Sequence, residues 1–172
     1  MQSLIYTPVE MLSIFGFNPV TNPDFKQLSI RSDSTFRANL KNRTFEVIDS
    51  DNNPCGSFEM NQDDFVVSLG QMANIIVDEI MADTGIEVHF EVESVKNTGG
   101  NDTDVVLSFW SDESVPQFDI DNGEQLSELG NRIAKEVMNE VGCAGPLPGS
   151  YSGRGDENEM YFHFENCVWP LD

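Results

Sequence analysis

A change of hydrophobic period near the middle of the chain limits the possible folds more than any other feature. Phe65, Leu69, Met72, Ala73, Ile76 and Ile80 recur at three and four residues, the spacing of one stripe along an α-helix. Gly85 stands where such a helix would close in a left-handed turn. Immediately afterwards Ile86, Val88, Phe90 and Val92 alternate with Glu87, His89, Glu91 and Glu93, the pattern of a half-buried strand. A helix feeding directly into a strand places the chain among mixed folds.

The flanking segments extend this picture. Phe36, Ala38 and Leu40 alternate with polar residues, a turn is expected at 41–44, and Phe45 and Val47 resume the alternation, which predicts a β-hairpin. In the expected register Leu40 faces Phe45 and Ala38 faces Val47, with Arg31, Arg37, Lys41 and Arg43 together on the solvent side. A third strand is expected at 57–60, and Asn61 with Asp64 reads as a helix start. After a loop at 96–103, Val105, Leu107 and Phe109 mark a returning strand, and Phe118 and Ile120 a further short one. A second helix is expected from Asp121, with Leu126, Leu129, Ile133, Val137 and Val141 on one stripe and its end at Gly142. Met160, Phe162 and Phe164 predict the last strand. Residues 1–25 form an N-terminal arm with a helix-like piece at 9–15 between prolines, and residues 144–158 a Gly/Pro/Ser-rich loop.

The expected architecture is a single α+β domain over residues 1–172, a mainly antiparallel sheet with two amphipathic helices packed on one face. A faint echo runs through it. Both helices contain a Leu-Gly pair (Leu69-Gly70 and Leu129-Gly130) and both lead to a His-Phe-Glu strand, at His89 and His163, which suggests a duplicated β-β-α-β unit.

Charge is the second constraint. Thirty acidic residues against nine basic ones give a net charge of −21, although 39% of the 172 residues are hydrophobic and can support a core. Residues 1–43 carry five basic and three acidic side chains, so residues 44–172 carry 27 acidic and four basic, a net of −23. Such a surface repels nucleic acids and anionic membranes and attracts cationic partners. The opening segment lacks the basic start of a signal peptide and carries Pro8 and Glu10 among its apolar residues. Cys55, Cys143 and Cys167 form no close pair, and the expectation is a reduced, cytoplasmic protein that neither crosses nor binds a membrane.

No motif announces a reaction. Phosphate-binding glycine loops, nucleophile elbows and Cys-x-x-Cys pairs are missing from the sequence, and no cofactor is expected. Asp49-Ser50-Asp51-Asn52-Asn53 begins like a calcium loop, but Pro54 takes the place of the required Gly and Met60 that of the bidentate Glu, so it reads as a turn and no metal site is expected. His89 and His163 are the only histidines, and a small hydrolase or phosphoesterase using both is the alternative enzymatic reading. Two-histidine phosphoesterases carry Ser or Thr two residues after each His, where this chain has Glu91 and Glu165.

The acidic residues themselves supply the leading expectation. Glu87, Glu91 and Glu93 share one side of an expected strand, where residues two apart are separated by about 6.7 Å, the order of successive phosphates on a nucleic-acid strand. Asp102, Asp104, Asp112 and Glu113 lie in or beside the adjoining hairpin. These seven residues are the expected partner-binding surface, mimicking nucleic acid towards a basic, nucleic-acid-handling protein, with Arg31, Arg37, Lys41 and Arg43 as a second surface suited to a homodimer or another partner. In composition the chain resembles small acidic viral counter-defence proteins and bacterial immunity proteins. A structural or assembly role is the third reading.

Overall fold

The computed structural model describes residues 4–96, 103–111, 128–141 and 159–164. Helices alternate with antiparallel sheets, an α+β fold. The chain divides into two compact units, residues 2–68 and the residues from Leu69 onward, and the division falls inside one continuous helix.

The first unit holds a four-stranded sheet of β1 (Ile5–Tyr6), β2 (Thr35–Asn39), β3 (Thr44–Ile48) and β4 (Pro54–Glu59), antiparallel throughout and ordered β1-β2-β3-β4. Period-two alternation buries Phe36 and Ala38 of β2 with Phe45 and Val47 of β3. The N-terminal arm builds much of the opposing surface. Phe15 meets Phe45 edge-on with ring centroids 4.9 Å apart, and Phe25 lies 4.3 Å from Phe58. Phe17 joins them at 5.8 Å from Phe25 and 6.1 Å from Phe58. The helix-like piece of the arm is α1 (Pro8–Phe15), started by a capping box in which Thr7 and Glu10 each accept the other's backbone N–H. A 3-10 turn at Pro23–Leu28 runs against β4, and Gly56 lets Leu28 approach, since a Cβ there would lie 3.1 Å from its Cδ2.

The hairpin register differs from expectation by two residues. Ala38 pairs with Phe45 and Phe36 with Val47, while Leu40 is a buried loop residue. The cause is a four-residue connection, 40–43, closed by Arg43 at φ 55°, by the Asn42 N–H donating to Asn39 Oδ1, and by the Met60 N–H donating to the Arg43 carbonyl. Because the slip is even, the buried face is unchanged.

α2 (Gln62–Thr84) crosses from the first unit into the second. Asn61 caps it: its Oδ1 accepts the Asp64 N–H at 2.7 Å, and Asp64 Oδ2 reaches back to the Asn61 N–H at 3.4 Å. Asp64 is itself buried, which raises its carboxyl above the usual range despite that bond. Asn61→Ala should cost about 1 kcal/mol, the usual worth of such a cap, seen as a lowered denaturant midpoint with an unchanged slope. Leu69, Met72, Ala73, Ile76 and Ile80 are all buried, as the stripe predicts, and the helix ends at Gly85 with φ 74° and its N–H bonded to the Met81 carbonyl. By length and composition α2 could cross a bilayer, as could the core helix of many soluble proteins, and its burial is one-sided.

The second unit contains β5 (His89–Lys96), β6 (Thr103–Trp110), α3 (Glu128–Val141) and β7 (Glu159–Phe164), with β6 central in an antiparallel sheet ordered β5-β6-β7. Val105, Leu107 and Phe109 are fully buried, and α3 buries Leu129, Ile133, Ala134, Val137 and Val141. The strand after α2 (β5) pairs with β6, which follows it, whereas the strand after α3 (β7) pairs with β6, which precedes it. The two halves of the sequence echo therefore differ in their pairing. The expected strand around Phe118 and Ile120, the helix start at Asp121 and the loop at 144–158 lie outside the described residues.

Candidate acidic interface

Cross-strand register defines two faces of the β5-β6-β7 sheet. On one, Phe90 pairs with Phe109, Val92 with Leu107, and these continue to Met160 and Phe162 on β7. On the other, His89 pairs with Trp110, Glu91 with Ser108 and Glu93 with Val106. Glu91 and Glu93 are exposed on this second face, while Ser108 between the flanking strands is only 6% exposed. Two exposed carboxylates thus stand side by side on β5, about 6.7 Å apart along the strand.

Glu87 does not belong to that row. The strand begins at His89, because the Thr84 hydroxyl donates to the Ile80 carbonyl at 2.7 Å and accepts the Ile86 N–H at 3.1 Å, tying residues 84–86 to the helix exit. Glu87 is exposed in the connection, just before the strand. Asp104 lies on β6 at the register position opposite Val95, two residues from the partner of Glu93. Asp102, Asp112 and Glu113 lie outside the described residues.

The second, basic surface is not a row on one strand face. Arg37 alone lies within a strand, and its guanidinium is held by Glu46 directly across the hairpin at 2.7 Å. Asn39 also donates to Glu46, and these two bonds keep the Glu46 carboxyl below the usual carboxylate range. Arg31 precedes β2, Lys41 is exposed in the turn, and Arg43 is a half-buried turn residue. The odd-even argument fails for these three because none of them lies in extended backbone of the hairpin strands.

The histidines occupy different levels of the sheet. His89 is opposite Trp110 and His163 opposite Val106, on the two strands that flank β6. Four residues along and two strands across correspond to roughly 16 Å between their backbones. His89 is half-buried, with its ring 5.8 Å from that of Trp110, a packing role that alternation alone did not indicate. The Asp49 carboxylate is turned onto its own loop, accepting the Asp51 and Asn53 N–H groups at 3.0 and 2.8 Å, as in an Asx turn. Among the described residues no three His, Cys, Asp or Glu side chains converge as metal ligands.

Sequence pattern did not reveal the charged cluster between α2 and α3. Arg132 Nη2 bonds Asp83 Oδ2 at 2.6 Å and its Nε lies 3.7 Å from Glu136 Oε1, one turn along α3. The i, i+4 spacing of Arg132 and Glu136 was legible; that they face Asp83, 49 residues earlier, was not. No family model, curated protein or solved structure matches the chain.

Proposed function

We propose that this chain is an acidic, cytoplasmic protein-binding inhibitor or regulator that presents carboxylates to the basic site of a nucleic-acid-handling protein. The observation that carries this reading is the pair Glu91 and Glu93, exposed on one face of β5, in a segment with a net charge of −23 over residues 44–172. Their spacing is of the order of the phosphate repeat, and a carboxylate offers the same charge and acceptor chemistry to Arg and Lys as a phosphate does. Glu87 is exposed four residues before Glu91, and Asp104 holds a register position on the neighbouring strand β6. The excess charge steers a basic partner to the surface and excludes anionic ones.

Capture from host lysate tests this reading. The wild-type chain should retain a basic nucleic-acid-binding protein at low salt and release it at high salt, because exposed charge pairs are screened over about 10 Å at 0.1 M. Glu91→Lys with Glu93→Lys should lose at least tenfold in retention, while the fold, judged by circular dichroism, stays intact. Equal retention by the double variant would remove the β5 carboxylates from the interface.

A further inference from the structure

Two carboxylates contact one guanidinium where α2 meets α3, and the charge of a third acts on the same group. Asp83, near the end of α2, is bonded to Arg132, near the start of α3, at 2.6 Å. Glu79, one turn earlier on α2, acts on Glu136, one turn later on α3, so the helices run antiparallel through this cluster. Arg132 is committed mainly to Asp83; its distance to Glu136 is 3.7 Å, a longer and weaker contact. The consequence falls on Glu136. Its Oε2 is shut off from solvent and has no hydrogen-bond partner, an arrangement that is costly for a charged oxygen and tolerable for a protonated one.

We propose that the α2–α3 joint is proton-sensitive: a proton on Glu136, whose Oε2 is shut off from solvent without a partner, holds the two helices more firmly. Burial, then the negative charge of Glu79, raise the Glu136 carboxyl above the ordinary glutamate range, while Arg132 and the positive amino-terminal group oppose them. The charged groups acting on it are Glu79 across the joint on α2, Arg132 on its own helix and the amino-terminal group, with Asp83 engaged through Arg132. An acid whose folded-state value is raised binds its proton more tightly in the folded protein. Its penalty is therefore absent below the unfolded glutamate value, develops as pH rises between the two values, and is complete above the folded one. Protonation removes the Glu79–Glu136 repulsion and leaves the Arg132–Asp83 bond intact.

Thermal melts of wild type and Glu136→Gln from pH 4 to 8 test this, with Glu91→Gln as a charge-matched change at an exposed site. Glu136→Gln should melt above wild type at pH 8, by more than Glu91→Gln does, and the gap should close as the pH falls to about 4. A carboxyl-carbon NMR titration should show Glu136 protonating at higher pH than ordinary glutamate, moving down in Glu79→Gln. Equal gains from the two glutamines would assign the effect to net charge alone and overturn the proposal. So would a Glu136 gap independent of pH, or an ordinary titration midpoint for Glu136.

Discussion

Ile76→Asp is expected to abolish the cooperative fold of the unit that begins at Leu69. Ile76 is fully buried at the middle of α2's apolar stripe, flanked by Met72, Ala73 and Ile80, all with no exposure. A carboxylate placed there loses its hydration without gaining a partner, which costs several kcal/mol, against a total stability of about 5–15 kcal/mol for a typical domain. The variant should lose its near-ultraviolet dichroism and the amide protection of Val105, Leu107 and Phe109. A variant that keeps that protection and melts like wild type would show that the stripe does not face the core.

Phe45→Ala should destabilise the first unit by about 3–5 kcal/mol, the usual cost of emptying a buried phenylalanine site. Phe45 is fully buried and meets three rings from two other segments: Phe15 at 4.9 Å and Phe17 at 6.5 Å from the arm, and Phe58 at 5.4 Å from β4. The vacated space cannot be refilled by one neighbour, since its lining comes from the arm, β3 and β4 together. Val9→Ala, at a site 76% exposed on α1, is the contrast and should change stability by less than about 0.5 kcal/mol. Urea unfolding followed by Phe-sensitive amide signals of β3 separates the two. Comparable losses from both would contradict the aromatic core.

These residues also show what the sequence could and could not convey. The α2 stripe was legible because six apolar positions repeat over four turns, and Gly85 marks the exit with the one residue type indifferent to positive φ. The faces of β2, β3, β5 and β6 followed from strict alternation. The hairpin register did not, since a loop closed by Arg43 in the left-handed region carries no glycine signal. The helix-like piece at 9–15 became α1, but the packing of Phe15, Phe17 and Phe25 onto β3 and β4 depends on long-range contacts that no local period encodes.

The acidic site was legible to a similar degree. Glu91 and Glu93 fall together by strand alternation, whereas Glu87 leaves the row because Thr84 bonds hold the chain in its helix exit for two more residues. The basic row dissolved for a different reason: Arg37 has its carboxylate across the strand pair at Glu46, a cross-strand neighbour that a register wrong by two residues assigns elsewhere.

The most direct test of the central claim is competition at equilibrium. The basic protein captured by this chain is bound to a labelled nucleic acid, the chain is titrated in, and the labelled complex is followed at two salt concentrations. The account predicts full displacement, with an affinity that falls steeply between the lower and higher salt and is weakened at least tenfold by Glu91→Lys with Glu93→Lys. A stable ternary complex, in which the partner holds nucleic acid and this chain together, would contradict it.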